Sequence, residues 1–559
     1  MTHNSRVPWS KVRLIVSSKQ SYRRMIVAGL LLTAVTAAAA PSTATPSLDW
    51  EGLRPLEAAA PDRPVQWPAS PVSGFYYIDS SSPNATDNEN RFGYPDRPRA
   101  TIPEIDYPAG SYVEIHGGPY TGGSQIIFAA HGTREAPVWI RGPGSNARAV
   151  IRGEMIVKGS YVFIENLRFD TNKTLGLRPH RSSTLNHAVV RDCEFDGPGT
   201  DVGSNSAIAV SGLAGPGRYS DIVISNNRIH GFGDRNARQE NDFHGIGVGG
   251  NVDRIWILGN EIFDMGGDAV QIGAASVPND RRATAVYIAN NSFYDNRENA
   301  VDIKNSQDVI VSHNVMYGFR TSSSSDGAAI VIHNNPDRVW IVGNTISRSN
   351  HGVVNTGGRD VWVVSNVFYD IHHASADWDP QDLYSGGSVI HFRGESGGGI
   401  VNNTLYRYDT GIQLAQGSSG YSLFNVLFSE RTEPEGFDVI AKDKDVVDES
   451  RLRNLAFFQR DGARVMLRGR VYTDRDLQGG RNKICTSCLT GDSEPLMDAA
   501  GYDFRLKPGS AAVDKGFAAQ AVFDLAAAQY VDIATDMAGN RRIQGHAIDI
   551  GALESNPPP

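Results

Sequence analysis

The chain has few cysteines: only Cys193, Cys485 and Cys488 occur among its 559 residues. Three cysteines are too few for a disulfide framework to be the main support of a fold of this length. Cys485 and Cys488 form a Cys-x-x-Cys pair, a weak signal on its own because redox and zinc sites need further partners. We interpret this pair as a small structural disulfide of an exported protein, and Cys193 as a buried apolar residue.

The chain also lacks an excess of positive charge, since its formal net charge is -9. This balance does not favour nucleic-acid or membrane-surface binding, and a polyanionic partner would need a local basic patch or a bound cation. A marked apolar run occurs at Met25–Val35, after Arg23 and Arg24 and before the small residues 37–40. The run is too short to span a bilayer and has the order of a secretory signal. We therefore expect residues 1–40 to be a signal peptide of a secreted or periplasmic protein without a membrane anchor.

Amphipathic helices are missing between the strand signals, whereas one strand-and-turn phrase recurs along the chain. The phrase is a β-branched run, then Asn, one variable residue and an apolar residue. Its asparagines are Asn227, Asn260, Asn291, Asn314, Asn344, Asn366, Asn403 and Asn425, and two earlier turns fit without it at Leu167 and Cys193. Repeats of this kind are typical of a solenoid whose loops vary in length.

The repeat predicts an all-β fold, a right-handed parallel β-helix in which the asparagines form a hydrogen-bonded ladder. A β-propeller would have longer and more regular blades, and a β-sandwich would not repeat. We predict four segments: the signal peptide, an N-terminal extension or cap at 41–107, the β-helix at 108–430, and C-terminal coils with a cap at 431–559.

Stacked parallel coils allow residues far apart in sequence to be aligned by counting. Inward apolar residues alternate with outward ones, and adjacent coils lie about 4.8 Å apart, so outward residues form columns. The first column is His244, Asp268, Asn299, Ala328, His351, Ser388 and Thr410; the second is Gly247, Gln271, Asp302, Val331, Val354, His391 and Gln413; the third is Gly249, Gly273, Lys304, His333, Thr356, Arg393 and Ala415.

The central rows of these columns combine carboxylates, an amide and cations. Asp268, Glu298, Asn299 and Asp302 lie close to Lys304 and His333, with Arg320 in the intervening loop. Such a mixture is costly unless the charges pair or hold a metal, and oxygen ligands of this kind suit calcium better than zinc. The alternative interpretation is an ordinary polar face on which Lys304 and Asp302 form a surface ion pair.

The segment Asn299-Ala-Val-Asp-Ile-Lys-Asn-Ser306, with an acidic coil before it, resembles the core of calcium-dependent polysaccharide lyases built on parallel β-helices. The similar groups are alginate lyases, dermatan-cleaving lyases of the chondroitinase B type and family-nine pectate lyases. The match departs from the alginate-type pattern at Ile332-His333-Asn334, where an Arg-His pair is usual, and from the dense aspartates of family nine at Asp268.

The resemblance implies cleavage of an acidic, uronate-containing polysaccharide by β-elimination. Lys304 would remove the C5 proton, and His333 or Arg320 would donate a proton or neutralise the carboxylate. Calcium would be held by the residues named above as oxygen ligands, and it would lower the pKa of Lys304 together with nearby cations. Further substrate contacts are expected from the outward residues His244, Gln271, His391 and Arg393.

Three other functions stay open. A glycoside hydrolase of the polygalacturonase type would use paired carboxylates such as Asp268 and Asp302. A C5-epimerase shares the first proton abstraction, although its Asp-Pro-His-Asp motif is represented only by Arg178-Pro-His-Arg181. A non-catalytic carbohydrate-binding β-helix would tolerate replacement of Lys304 without loss of binding.

Overall fold

Short runs rich in Val and Ile form the strands of three long parallel sheets. From Val138 onward most coils contribute one strand to each sheet in turn, whereas the first two coils have no strand in the second sheet. The computed structural model describes residues 67, 70–144, 146–179, 184–200, 204–210, 217–237, 242–382, 385–394, 397–415, 420–442, 452–478, 484–529 and 531–555. The predicted signal peptide therefore lies outside the described residues. Within these ranges the first sheet has 14 strands, the second 13 and the third 15.

The first sheet contains, in order, Phe75–Asp79, Tyr112–His116, Val138–Arg141, Val162–Glu165, Thr184–Arg191, Arg218–Ser225, Val252–Leu258, Ala283–Ala289, Ser306–Ser312, Asp337–Val342, Arg359–Val364, Gly398–Val401, Ser422–Phe424 and Leu452–Arg453. The second contains Ala149–Ile151, Leu167–Asp170, Glu194–Asp196, Arg228–His230, Glu261–Phe263, Ser292–Tyr294, Val315–Tyr317, Thr345–Ser349, Val367–Ile371, Thr404–Tyr408, Leu427–Arg431, Ala456–Phe458 and Leu489–Gly491.

The third sheet carries the candidate site on its outer face. Its strands are Asp106–Tyr107, Ile126–His131, Met155–Ser160, Leu175–Arg178, Asn205–Val210, Phe243–Val248, Val270–Ile272, Val301–Lys304, Ala328–His333, His351–Asn355, Ser388–Phe392, Thr410–Leu414, Val439–Ala441, Val465–Leu467 and Arg470–Tyr472. Arg470–Tyr472 alone among these pairs antiparallel, with Val465–Leu467, and it ends the sheet. The predicted right-handed parallel β-helix is confirmed.

The asparagine ladder occupies the corner between the first and second sheets. The Oδ1 of Asn344 accepts hydrogen bonds from the backbone N–H and the Nδ2 of Asn314, at 2.9 and 3.0 Å. The same pair of bonds joins Asn227, Asn260, Asn291, Asn314, Asn344, Asn366 and Asn403 in succession. Each bond satisfies a polar group that the corner buries.

Asn425 is not a member of the ladder, in contrast to the prediction. Thr404 pairs with Leu427, so Val426 takes the ladder position in that coil. Asn425 lies one residue earlier and has φ 55°, like Asn402 with φ 53°. This neighbouring position is left-handed in each coil, and asparagine tolerates that conformation. The same short phrase therefore fits two adjacent positions of the corner.

The interior is a continuous stack of apolar side chains, and the ends of the chain add to it differently. Parallel pairing begins at Phe75–Asp79, within the segment 41–107 for which the sequence predicts an extension or cap. Tyr76 and Ile78 of this strand are buried in the core. This first coil therefore joins the stack through aromatic and apolar side chains, without the asparagine phrase. Cys193 is buried and free, whereas Cys485 and Cys488 form the disulfide that the sequence favours.

The C-terminal segment folds back along the outside of the coils. It contains the helices Asp474–Gln478 and Gln520–Ala528, the 3-10 turn Ala499–Gly501 and the antiparallel strands Leu496–Asp498 and Asp503–Leu506. A further 3-10 turn lies at Asn279–Arg281. The longer helix packs on Trp340 and Trp362 of the first sheet, and the Nε1 of Trp340 donates to Gln529 at 2.7 Å. No helix among the described residues is long and apolar enough to cross a membrane.

Candidate functional site

The strand pairing of the third sheet confirms the alignment of the three columns, although the residues of the first column are buried. Gln271 pairs with Asp302, Asp302 with Val331, and Lys304 with His333. Farther along the sheet His391 pairs with Gln413. The structure thus brings the predicted acidic and basic residues together on neighbouring coils.

Lys304, Asp302 and His333 form one connected group. The Nζ of Lys304 lies 2.7 Å from one carboxylate oxygen of Asp302, and the Nε2 of His333 lies 2.8 Å from the other. The Asp302 side chain is 7% exposed, whereas those of Lys304 and His333 are 20% and 31% exposed. The two basic groups therefore reach the surface above a carboxylate that is held beneath them.

The charges in this group stabilise one another. Burial alone would raise the pKa of Asp302, but His333 and Lys304 lower it overall. Burial would likewise lower the pKa of Lys304, but the carboxylate of Asp302 raises it. The sequence analysis predicts a lowered pKa for Lys304 as the base. The structure instead has Lys304 as an ammonium group paired with Asp302, with its pKa raised.

A second group lies beside the first and is more deeply buried. One ligand atom each from His244, Asp268 and Glu298 lies within 4.8 Å of the others. The Oδ1 of Asp268 accepts hydrogen bonds from the backbone N–H and the Nδ2 of Asn299, at 3.0 and 2.8 Å. Its Oδ2 is buried and has no hydrogen-bond partner among the described residues, although the Nδ1 of His244 is 3.2 Å away.

Glu298 is held by a serine loop that follows Arg320. The Oε1 of Glu298 accepts hydrogen bonds from the side chains of Arg297 and Ser324. Arg297 also donates to Ser323 at 2.7 Å and is almost fully buried. Burial and the neighbouring Asp268 raise the pKa of Glu298 to about 8. Arg297 was not predicted from the sequence, where its only distinguishing feature is its place next to Glu298.

The predicted calcium ligands do not form one oxygen cage. Asp268 and Glu298 converge, but both oxygens of Asp302 are engaged by Lys304 and His333. The Oδ1 of Asn299 accepts a hydrogen bond from Ser325 at 3.1 Å, while its Nδ2 faces Asp268. Calcium takes about six to eight oxygen ligands, and only two of the four predicted protein ligands converge here. The third potential ligand near Asp268 and Glu298 is the imidazole of His244.

The predicted substrate contacts differ in accessibility. Gln271 and Arg393 are partly exposed on the outer face, whereas His244 belongs to the buried cluster. His391 is buried too, and burial lowers its pKa to about 3, so its ring is neutral. Arg320 is exposed at the start of the serine loop. The roles of these residues in substrate binding stay predictions. His391 is less accessible to a substrate than an exposed residue would be.

A separate group of histidines lies farther along the same edge of the third sheet. His373, Asp409 and Glu433 each offer a ligand atom, and these atoms are within 4.8 Å of one another. The carboxylate of Asp409, however, already accepts hydrogen bonds from His372 at 2.9 Å, from the ring of His373 at 2.6 Å and from Thr432 at 2.6 Å. Asp409 therefore positions two imidazoles and has no free oxygen for a metal.

Comparison with known proteins supports the fold. A family model described as a right handed beta helix region matches residues 217–368. An alginate lyase from Paenibacillus sp. str. FPU-7 is 20% identical, with 47% of this chain and 90% of that chain covered and a TM-score of 0.35. Pectate lyase Pel9A is 12% identical, with 86% and 96% covered and a TM-score of 0.36. The catalytic domain of a GH87 alpha-1,3-glucanase is 13% identical, with 66% and 69% covered and a TM-score of 0.35.

The strand topology and the family model agree that the chain forms a right-handed parallel β-helix. Lyases of the kinds that its sequence resembles are among the similar structures. Similar structures also include glycoside hydrolases and a bacterial surface adhesin. At these identities and TM-scores the likeness is one of fold alone. No curated protein sequence matches the chain.

Proposed function

We propose that this protein is an exported polysaccharide lyase that cleaves a uronate-containing polymer by β-elimination, with Lys304 as the base. The observation that carries the proposal is the group of Lys304, Asp302 and His333 at the surface of the third sheet. Two basic side chains lie there beside a buried acidic and imidazole cluster, an arrangement that supports recognition of an anionic sugar next to a cation site.

Lys304 can act as the base once its ammonium proton is lost, although its ion pair with Asp302 opposes that loss. The free amine takes the proton at C5, the electron pair forms the C4–C5 double bond, and the glycosidic oxygen leaves from C4. His333, which is the more exposed of the two basic groups, supplies a proton to that oxygen. A cation bound nearby would neutralise the uronate carboxylate and so make the C5 proton more acidic.

The proposal is tested with the ultraviolet band of the unsaturated uronate, recorded on a panel of acidic polysaccharides. Wild type is expected to produce the band on at least one polymer, and Lys304→Ala is expected to lower the rate by about 100-fold or more, as removal of a general base does. Lys158→Ala is the matched control, because Lys158 is an outward lysine of the same sheet several coils away. We expect this control to keep its activity.

The other outcomes identify the rival functions. New reducing ends without the ultraviolet band would indicate a hydrolase that uses the carboxylates instead. A change of uronate configuration without chain cleavage would indicate an epimerase. Polymer binding without any reaction, unaltered in Lys304→Ala, would replace the proposal with a non-catalytic carbohydrate-binding role.

A further inference from the structure

The cluster of His244, Asp268 and Glu298 brings three potential ligand atoms together inside the protein. The backbone N–H of Asp268 donates to the Nδ1 of His244 at 3.1 Å, so this nitrogen carries no proton, and an ion would have to displace that hydrogen bond to use its single lone pair. The Oδ2 of Asp268 is 3.2 Å from the same nitrogen and accepts no hydrogen bond from the described residues. A buried carboxylate oxygen without a donor is costly. Burial and repulsion from Asp268 are also the reasons that the pKa of the neighbouring Glu298 is raised.

The spacing of these atoms suits ligands of a single ion. Two ligand atoms 3.2 Å apart subtend an angle of about 100° at an ion that lies about 2.1 Å from each. The residues project from three successive coils: His244 in one, Asp268 in the next, Glu298 in the third. The stacking of the coils thus preorganises the donors, which need not move together on binding.

The chemistry of the donors decides between classes of cation. Calcium and magnesium select oxygen ligands, whereas imidazole nitrogen favours zinc and the neighbouring transition metals. Asn299 could have supplied an amide oxygen, but it turns its Nδ2 towards Asp268 and its Oδ1 towards Ser325. The three potential ligands are therefore one imidazole nitrogen and two carboxyl groups. This set offers fewer oxygen atoms than calcium prefers.

We propose that His244, Asp268 and Glu298 bind a divalent transition-metal ion of the zinc type in preference to calcium. This inference deepens the proposed function by naming the cation beside Lys304, but metal binding does not depend on the reaction being a β-elimination. The rival occupant is a proton: burial opposes charge on His244, but Asp268 raises the pKa of its ring. Protons compete with a metal ion for these ligands, so protonation of the cluster lowers its affinity for either metal.

The test compares Zn²⁺ and Ca²⁺ titrated calorimetrically into the chelator-treated full-length protein, with bound metal counted after dialysis. We expect Zn²⁺ to bind at least about tenfold more tightly than Ca²⁺. Equal or tighter binding of Ca²⁺, or no binding of either ion, would overturn the proposal. This comparison uses the wild-type protein and so does not depend on any variant folding.

His244→Asn is the decisive variant, because the amide oxygen of asparagine can occupy the place of the imidazole Nδ1. It keeps a polar group against the Asp268 amide but exchanges the nitrogen donor for oxygen. We expect its Zn²⁺ affinity to fall by about 10-fold or more, while its Ca²⁺ affinity stays the same or rises. Asp268→Asn removes a charged ligand and is expected to weaken both ions.

His351→Asn is the matched control. His351 lies in the same outward column and is equally buried, but its neighbours in that column, Ala328 and Ser388, carry no carboxylate. Its affinity for Zn²⁺ should equal that of wild type. Zn²⁺ binding that survives in both His244→Asn and Asp268→Asn would lie elsewhere, for example at His373, and would refute the assignment. Neither result bears on the ultraviolet assay, so the two proposals can fail separately.

Discussion

The ladder asparagine Asn314 offers a quantitative test of what holds the coils in register. Its Oδ1 accepts two hydrogen bonds from Asn291, and its Nδ2 donates two, to the carbonyl of Ile288 and to Asn344, which makes 2 + 2 = 4 bonds lost in Asn314→Ala. At a net value of about 1 kcal/mol for each bond, the substitution should lower the free energy of unfolding by about 4 kcal/mol. The partners left behind are all buried, so water does not replace the bonds.

The assay is urea unfolding followed by far-ultraviolet circular dichroism, with Asn84→Ala as the control. Asn84 is exposed, and its replacement should change stability by less than about 0.5 kcal/mol. Asn227 lies at the end of the ladder, and Asn227→Ala would remove one accepted and two donated hydrogen bonds. This substitution should lower the free energy of unfolding by about 3 kcal/mol. A loss in Asn314→Ala no greater than in Asn84→Ala would refute the view that the ladder stabilises the stack.

Two further predictions concern pH. Because the carboxylate of Asp302 raises the pKa of Lys304, Asp302→Asn should move the alkaline-rising limb of the pH–rate profile to lower pH, and an unmoved limb would argue against Lys304 as the base. For His372, burial alone would lower the pKa, but Asp370 and Asp409 raise it to about 9. Its folded-state pKa exceeds the unfolded value of about 6.5, so its stabilisation is complete below pH 6.5 and is lost as pH rises to about 9. His372→Gln should therefore lower the melting temperature more at pH 6 than at pH 9.5, and an equal loss at both would contradict this account.

The sequence was sufficient for the coil, the ladder and the alignment of outward columns, because each follows from a period of two along a strand and from repetition between coils. It was insufficient at Asn425, where the corner offers two adjacent places for asparagine and backbone conformation decides between them. It also missed the first coil, because Tyr76 and Ile78 fill the core there without the repeated phrase.

The candidate site was predictable in position but not in contacts. Counting places Lys304 beside His333, yet it cannot show that both converge on Asp302 rather than leaving that carboxylate free for a cation. The partner of Asp268 is a histidine from the preceding coil because His244 turns its ring inward, a choice of rotamer that no pattern encodes. Burial of Glu298 depends on serines in a loop, and loops are where repetition gives no information.

The unequal lengths of the coils show that the loops can vary in length without a change in the stacking of the core. Asn344 and Asn366 are 22 residues apart, whereas Asn366 and Asn403 are 37 residues apart, yet both pairs keep the same 3.0 Å side-chain bond. The 15 additional residues (37 − 22) leave the stack as an excursion that includes His372 and Trp378. Insertions of this kind can change the surface between the second and third sheets while the asparagine ladder stays unchanged. The chemistry of this surface could thus be altered by exchanging one such loop, with no compensating change in the core.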